Sequence, residues 1–309
     1  DDDLIERVLH QVIPSNQLWG YNYHMTLSTT PSGEIGFPRA GADGLAVIDE
    51  CHILHPDLLE LLDKFDLEFD GLERVRLQMG TDGNHMIVAY INDEENTPQL
   101  HADMPTSVNA ILPDNEPVNL IGDSFVTVNV GDRNFKITAG VEFRPNVSML
   151  PKLADLVIDA LELGTNNDKH ILDLYGGTGF FSAFIGNRAS LITLVESYPP
   201  ATTNADDNLS DFDHIDVIEG TVEDVLSALE DTYHAAIIDP PSSGLGVEAI
   251  DALGDLKLPR LVYVSGDPAT LARDANRLSK KGYTLQKVQP IDLAPHTYYI
   301  DSIAVFLQA

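Results

Sequence analysis

The sequence is short of cysteine, tryptophan and positive charge. Its 309 residues include one cysteine, Cys51, and one tryptophan, and 18 Lys and Arg stand against 49 Asp and Glu, for a net charge of −31. A single cysteine excludes an intrachain disulfide and a cysteine-ligated metal or iron–sulfur cluster. No apolar run approaches the roughly 20 residues of a membrane span, and the start at Asp1 does not resemble a signal peptide. We therefore expect a cytoplasmic protein with no membrane partner.

Neither the acidic surface nor the histidines indicate a ligand on their own. A surface of this charge repels a phosphate backbone, which argues against unaided, non-specific binding of nucleic acid but is compatible with a local basic groove. A solvated surface tuned for solubility or high salt explains the charge better than a cationic partner does. Because the histidines show no metal-ligand spacing, we predict no metal site.

Two kinds of periodicity divide the chain near residue 148. Residues 15–145 contain short strands and turns with one amphipathic helix, a pattern that predicts an α+β region rich in antiparallel strands. After residue 149, strand candidates alternate with helices, as in a doubly wound α/β domain. We expect an α+β N-terminal and central domain at 1–148 and a Rossmann-like domain at 149–309.

Three local signals refine this division. Apolar residues at helical spacing over 3–13, stopped by Pro14, predict an N-terminal helix. Residues 119–130 form one long strand candidate. The abrupt acidic start is compatible with an upstream domain that is missing from this chain.

A glycine-rich turn marks the candidate ligand site. It follows the apolar strand at 170–174, precedes a predicted helix, and contains Gly176, Gly177 and Gly179. Glycines suit a strand that turns sharply into a helix while its backbone passes close to a ligand. The spacing fits neither the dinucleotide fingerprint nor the phosphate loop with its Lys-Ser/Thr pair. An ordinary strand-to-helix turn without a ligand is the alternative.

Two acidic residues at strand ends favour an adenosine ligand. Asp173 precedes the turn, and Glu196 ends the next apolar run at 191–196. An acid at the end of the second strand can accept hydrogen bonds from both ribose hydroxyls without any pyrophosphate. We therefore predict S-adenosylmethionine as the cofactor.

Three further segments carry a family resemblance. They are Ile237-Ile-Asp-Pro-Pro-Ser-Ser-Gly-Leu-Gly246, Leu261-Val-Tyr-Val-Ser-Gly-Asp-Pro-Ala-Thr-Leu-Ala-Arg-Asp274 and Ile291-Asp-Leu-Ala-Pro-His-Thr-Tyr-Tyr-Ile-Asp301. Together they closely resemble the RNA uracil-C5 methyltransferase family, which modifies uridines in tRNA and ribosomal RNA. The resemblance implies a class I methyltransferase domain that uses S-adenosylmethionine and acts on RNA, either tRNA or rRNA.

The same resemblance implies which residues bind the cofactor. The three glycines would pass beside S-adenosylmethionine, with Asp173 ahead of them, and Glu196 would hold its ribose. Glu219 to Thr221 would lie near the adenine, and Asp239 would face the methyl-transfer region.

A segment before residue 149 is also implied in cofactor binding. Asn146 matches the end of the family's Phe-Phe-Gln-Val-Asn segment, which reaches back to the cofactor. Arg144 stands there in place of the usual glutamine, and Pro145 in place of the usual valine.

This chain departs from the family at the catalytic position. In the family, a cysteine thiolate adds to C6 of uracil, which makes C5 nucleophilic enough to attack the methylsulfonium. A carboxylate then removes the C5 proton, and the thiol is eliminated from C6. The cysteine belongs between Ser265 and Asp267, where this chain has Gly266. The base, usually glutamate, is Asp301, and Cys51 lies outside the motif.

Two other functions stay open. A non-catalytic relative that binds S-adenosylmethionine, RNA or a protein partner fits both Gly266 and the net charge of −31. A methyltransferase acting on a heteroatom needs no covalent adduct, and the Asp-Pro-Pro-Ser run at 239–242 suffices to position an amine. If the chain is active as written, Asp239 and Asp301 are the expected chemical groups.

Overall fold

The structure, a computed structural model, describes residues 7–30, 34–39, 43–48, 50–64, 71–92, 106–229 and 232–309. Contacts within the chain divide it into two units. The central unit is Gln17–Ser148, and the C-terminal unit is Met149–Ala309 together with residues 7–16. The sequence analysis assigns residues 7–16 to the first domain, whereas in the structure they pack with the C-terminal unit.

The central unit contains a seven-stranded sheet and a separate hairpin. The sheet strands are β1 (His24–Thr29), β2 (Ile35–Pro38), β3 (Leu45–Ala46), β4 (Leu72–Met79), β5 (His85–Ile91), β6 (Thr106–Ile111) and β7 (Pro117–Ile121), with helix α1 (Pro56–Asp63) following β3 in the chain. The hairpin is β8 (Phe125–Val130) and β9 (Arg133–Thr138). The sheet order is β3-β2-β1-β4-β5-β6-β7, with every pair antiparallel except β5 and β6.

Alternation along the strands explains how this unit builds its core. Successive strand residues point to opposite faces, so alternate residues of a strand lie on the same face. In β1 and β4 one such set of alternate residues is apolar. That face packs against Leu58 and Leu61 of α1 in one buried cluster, with Met25, Leu27, Val75 and Leu77. The predicted α+β class is therefore confirmed.

The single strand predicted over 119–130 is wrong, because the structure has two strands there. Gly122 has a φ of +73°, in the left-handed region that favours glycine. The N–H of Asp123 donates to Ser107 Oγ at 2.9 Å. The chain turns at this point, so β7 pairs with β6 while β8 pairs with β9.

The C-terminal unit alternates strands and helices along the chain. Its elements are α2 (Leu150–Leu161), β10 (His170–Leu174), α3 (Phe180–Ile185), β11 (Leu191–Glu196), α4 (Pro199–Asn208), β12 (Ile215–Glu219), α5 (Val222–Ala228), β13 (Ala235–Ile238), α6 (Val247–Leu256), β14 (Arg260–Ser265), α7 (Pro268–Ser279), β15 (Tyr283–Ile291) and β16 (Asp301–Gln308). The sheet order is β12-β11-β10-β13-β14-β16-β15. The predicted doubly wound α/β class is confirmed. Within the described ranges, no helix combines the length and the apolarity needed to cross a membrane.

The strand order of this sheet defines where a ligand can bind. It reverses at β10, which pairs in parallel with β11 on one side and β13 on the other. Ligands of such sheets bind at the carboxyl ends of the strands, beside the reversal point. The last strand, β16, runs antiparallel to β14, so it begins at the edge where β14 ends.

Residues 9–13 extend this sheet rather than forming a helix. Leu9 and Ile13 make parallel bridges with Val288 and Ile291 of β15, and His10 N–H donates to Val288 O at 2.9 Å. Because β15 ends the strand order, its outer edge offers the backbone groups that this segment pairs with. The helix predicted over 3–13 is therefore wrong beyond residue 8, and residues 3–6 lie outside the described ranges.

Candidate active site

The turn after β10 has the backbone geometry that its glycines predict. Gly177 and Gly179 have φ values of +54° and +82°, and Tyr175 is also left-handed, at +58°. A Cβ on Gly176 would overlap the side chain of Leu194 in β11. A Cβ on Gly177 would meet no heavy atom of the described residues within 4 Å. The turn thus packs tightly on β11 at one glycine and leaves open space beside the next, where a ligand can approach the backbone.

The carboxylate of Glu196, at the end of β11, holds this turn. Its Oε2 accepts the N–H of Gly177 at 3.0 Å, and its Oε1 accepts the N–H groups of Ser197 and Tyr198 at 2.8 Å each. A carboxylate offers about four acceptor sites. Three donors fix its orientation, and acceptor capacity remains for one more.

Asp173 lies fully buried directly before the turn. Ser182 donates to Oδ2 through its N–H at 3.1 Å and its hydroxyl at 2.6 Å, whereas Oδ1 is buried without a hydrogen-bond partner in the part of the chain that the structure describes. Burial, helped by the charges of Asp239 and Glu196 and opposed by the Ser182 hydrogen bonds, raises the pKa of Asp173 to about 7. A buried acceptor left unpaired is costly, so Oδ1 is a natural partner for a ligand donor.

Ser182 is a site residue that the sequence reasoning missed. It lies in the first turn of α3, the helix that begins directly after Gly179. The available signal in the sequence was a residue with a hydroxyl group at the start of the helix that follows the glycine turn, a few residues after Asp173. That signal is weak, because serines near helix starts more often cap the backbone.

Glu219 is the last residue of β12, beside Glu196, and Thr221 follows that strand. Glu219 is paired with Glu196 in the β11–β12 register and is exposed. Thr221 caps α5, since its Oγ1 accepts the N–H of Asp224 at 3.2 Å and donates to that residue's Oδ2 at 2.7 Å. The threonine hydroxyl is therefore already engaged, and the role of both residues toward the adenine stays a prediction.

Asp239 directly follows β13 at the same edge of the sheet. Its N–H donates to Leu174 O at 3.1 Å, which continues the pairing with β10, and its side chain is half-buried. Its charge contributes to the raised pKa of Asp173. Pro240 and Pro241 come next and have no N–H for a ladder, so the chain leaves the sheet here. Asp239 thus lies at the carboxyl end of its strand, and its role in methyl transfer stays a prediction.

A fully buried carboxylate on α7 holds the loop that follows these prolines. Asp274 Oδ2 accepts the N–H of Leu245 at 2.8 Å and the hydroxyl of Tyr263 at 2.9 Å. Arg273 donates through Nε to Asp274 Oδ1 at 2.9 Å and through Nη2 to Ser243 O at 2.7 Å. Burial, followed by the charge of Asp274, raises the pKa of Tyr263.

Asp274→Asn is expected to lower the free energy of unfolding by about 2–3 kcal/mol, because it removes a charged acceptor and leaves Arg273 unbalanced. Urea denaturation followed by circular dichroism measures this loss. Tyr263→Phe removes only one hydrogen bond and should cost about 1 kcal/mol. Equal losses in the two variants would contradict a central role for the carboxylate.

The position predicted for the nucleophile, Gly266, lies beside the predicted base, Asp301. Ser265 pairs with Ser302 across β14 and β16, which brings Gly266 beside Asp301. A Cβ built on Gly266 would have Asp301 Oδ1, at 3.8 Å, as its nearest contact among the described residues. Position 266 therefore has room for a side chain and directs it toward the carboxylate.

The neighbours of Gly266 have structural roles. Asp267 caps α7, because its Oδ1 accepts the N–H groups of Ala269 and Thr270 at 2.8 Å each. Ser265 Oγ donates to Asp267 O at 2.9 Å and accepts that residue's N–H at 3.2 Å. The Ser265 hydroxyl is therefore committed to the turn and does not replace a thiol.

Arg144 and Asn146 belong to the central unit, at the end of its chain segment. Asn146 is 1% exposed, and its Oδ1 accepts the hydroxyl of Ser148 at 2.7 Å. The carbonyl of Pro145 accepts the N–H of Tyr23 at 3.1 Å. This segment is thus fixed within its own unit, and its contact with a cofactor stays a prediction.

This chain is similar to a family model and to several known RNA methyltransferases. The model of the tRNA (uracil-5-)-methyltransferase family matches residues 120–309. An RNA methyltransferase of Streptomyces coelicolor is 26% identical over 302 residues, which cover 95% of this chain and 65% of that protein. The 23S rRNA (uracil(1939)-C(5))-methyltransferase of Haemophilus parainfluenzae is 25% identical over 311 residues, which cover 94% of this chain and 70% of that protein. An RNA methyltransferase of Fusobacterium nucleatum is 30% identical over 191 residues, and the match spans only 41% of that protein.

A solved structure shares the fold. The crystal structure of Pyrococcus abyssi tRNA (uracil-54, C5)-methyltransferase in complex with S-adenosyl-L-homocysteine has a TM-score of 0.73 and 22% identity. The match covers 99% of this chain and 81% of that one. At this identity the likeness shows the architecture alone. Since the family model matches well over half of its residues, the chain belongs to the tRNA (uracil-5-)-methyltransferase family.

Proposed function

We propose that this chain binds S-adenosylmethionine beside β10 and transfers its methyl group to a base of RNA in the cytoplasm, with C5 of uridine as the acceptor. The observation that carries the proposal is the cluster at one sheet edge: the open space at Gly177, the held carboxylate of Glu196 and the unpaired oxygen of Asp173. Family membership supports the choice of RNA and of uracil.

The residues present fit this cofactor. When bound, S-adenosylmethionine supplies an electrophilic methyl group on its sulfonium. Glu196 has capacity for one ribose hydroxyl, and it gains capacity for the second if the N–H of Gly177 is released. The unpaired Oδ1 of Asp173 can accept a further donor of the ligand, and its carboxylate form favours a positively charged one. Glu219, Thr221, Arg144 and Asn146 complete the proposed binding set.

Gly266 limits the chemistry on the acceptor side. No thiolate at this position can add to C6, so the chain's own residues do not activate C5 of unmodified uridine by a covalent adduct. Asp301 remains as a base for the C5 proton, one methylene shorter than glutamate, and it faces position 266. We therefore expect methyl transfer to unmodified uridine to be slow.

Gly266 also favours a second function, in which the chain binds S-adenosylmethionine and RNA without transferring a methyl group. A heteroatom acceptor is the third possibility, since an amine attacks a methylsulfonium without prior activation. The half-buried carboxylate of Asp239 and the exposed Ser242 would then position the amine.

A methyl-transfer assay separates these functions. The protein, in excess, is incubated with tritiated S-adenosylmethionine and with transcribed tRNA, rRNA fragments or a protein mixture, and labelled RNA is digested to nucleosides. We expect slow label as 5-methyluridine, reduced roughly 10²-fold in Asp301→Asn because the base is lost. Asp216→Asn, at an exposed position of β12, is the matched control and should keep the wild-type rate. Label in protein would favour the heteroatom function, and bound cofactor without label would favour the non-catalytic one.

A further inference from the structure

The loop between β15 and β16 exposes two tyrosines directly ahead of Asp301. Tyr298 and Tyr299 are 86% and 55% exposed. Their ring centroids lie 4.2 Å apart with the planes inclined by 33°, and the Tyr298 hydroxyl donates to the Tyr299 hydroxyl at 2.8 Å. The two rings thus pack against each other as one tilted pair, and the more exposed ring, that of Tyr298, lies largely in solvent.

The loop holds this pair in a defined place. Leu293 and Pro295 are buried and anchor its first half. Thr297 Oγ1 donates to Ala294 O at 2.6 Å and accepts the N–H of Tyr299 at 3.2 Å. A surface that is ordered before binding loses less conformational entropy when a ligand docks.

We propose that Tyr298 and Tyr299 form a stacking platform for a nucleobase of single-stranded RNA next to the acceptor base. This inference rests on the proposed function. The chain runs from the platform through Ile300 to Asp301, which faces Gly266, so the platform adjoins the proposed acceptor site. Aromatic side chains stack on any base, because every base has a π-face.

The properties of the pair favour a base over a protein surface. Each aromatic side chain offers roughly 150–250 Å² of contact, whereas a stable protein interface needs about 1,000 Å² in total. Stacking also needs no positive charge, which matters in a chain with a net charge of −31. Asp292 and Asp301 flank the loop, so this region of the surface does not attract phosphate, and the base is the part of RNA that it can bind.

Titration with a 12-nucleotide, uridine-rich single-stranded RNA carrying one 2-aminopurine tests the platform. Wild-type protein is expected to quench the 2-aminopurine on binding, and Tyr298→Ala to weaken the affinity roughly 5- to 150-fold, as expected for the loss of one stacked base. Tyr298→Phe keeps the ring and should retain most of the affinity. Trp19→Ala removes an exposed aromatic, 52% accessible, in the central unit and should bind like the wild type.

The outcomes separate this inference from the proposed function. If Tyr298→Ala binds RNA as the wild type does, the platform is wrong and the methyltransferase proposal stands. If even the wild type fails to bind RNA, the RNA acceptor and the platform both fall, while cofactor binding is judged separately by calorimetry. An equal loss in Trp19→Ala, or a change in self-association alone in Tyr298→Ala, would also overturn the platform.

Discussion

Gly266→Cys is expected to raise the rate of 5-methyluridine formation by roughly 10²-fold or more, because it supplies the nucleophile that activates C5. The site can accept the side chain. Gly266 is not among the left-handed glycines, and, apart from its chain neighbours, the nearest described atom to its Cβ position is Asp301 Oδ1 at 3.8 Å. A cysteine side chain therefore fits at position 266, beside Asp301, without a change in the backbone.

Single-turnover methylation of RNA measures this gain, and Gly266→Ser is the matched control. Serine has nearly the same shape, but its hydroxyl is a weak nucleophile without an adjacent base, so it should give no gain. RNA containing 5-fluorouridine should trap a covalent complex with the cysteine variant alone, visible as a shifted band on a denaturing gel. If the cysteine variant is no faster than the serine variant while both bind cofactor, uracil C5 is not the acceptor.

The pH dependence of the cysteine variant follows from its neighbour. A free thiol has a pKa of about 8.5, and the adjacent Asp301 carboxylate disfavours a second negative charge and so raises the pKa of the thiol. The reactive thiolate fraction, and with it the rate, should therefore rise as the pH increases through 8 and above.

Glu196→Ala is expected to weaken S-adenosylmethionine binding by roughly 10²-fold. It removes a charged acceptor for the ribose, and hydrogen bonds to charged groups contribute about 1.5–3 kcal/mol. It also frees three backbone N–H groups, those of Gly177, Ser197 and Tyr198, so the glycine turn loses the group that orders it. Isothermal titration calorimetry with S-adenosylmethionine measures the change directly.

Two controls sharpen this second result. Glu196→Gln keeps one acceptor oxygen and should fall between the wild type and the alanine variant. Glu219→Ala removes the exposed neighbouring carboxylate, paired with Glu196 in the β11–β12 register, and should have the smaller effect. Wild-type affinity in Glu196→Ala would mean that the ligand does not bind at this turn.

The features that the sequence predicts well are local ones. The glycine turn, the acid before it and the strands around it follow from residue patterns within short windows, and the structure has them where they were expected. The helix predicted over 3–13 is wrong at residues 9–13, because Leu9 and Ile13 pair with the edge of β15, far away in the chain. The break at Gly122 depends likewise on a partner outside its own segment, Ser107.

The candidate site shows the same limit. The motif resemblance identified Gly266 and Asp301 individually, but their facing arrangement depends on the register of β14 and β16, which no local pattern specifies. The burial of Asp274 and the unpaired oxygen of Asp173 are also products of packing. A sequence shows which residue types are present, whereas pairing between distant segments decides which atoms are left without partners.

The pairing of residues 9–13 with β15 determines the connectivity between the two units. The chain adds an edge strand to the C-terminal unit, leaves it at Asn16, and returns to it at Met149. The central unit is therefore an insertion joined to the C-terminal unit at both of its ends, after Asn16 and before Met149, rather than a domain that precedes that unit in the chain. A single cut at the first of these two junctions would leave the fragment bearing residues 9–13 attached by non-covalent contacts, among them its hydrogen bonds to β15. Deleting this edge strand would convert the insertion into an ordinary tandem arrangement.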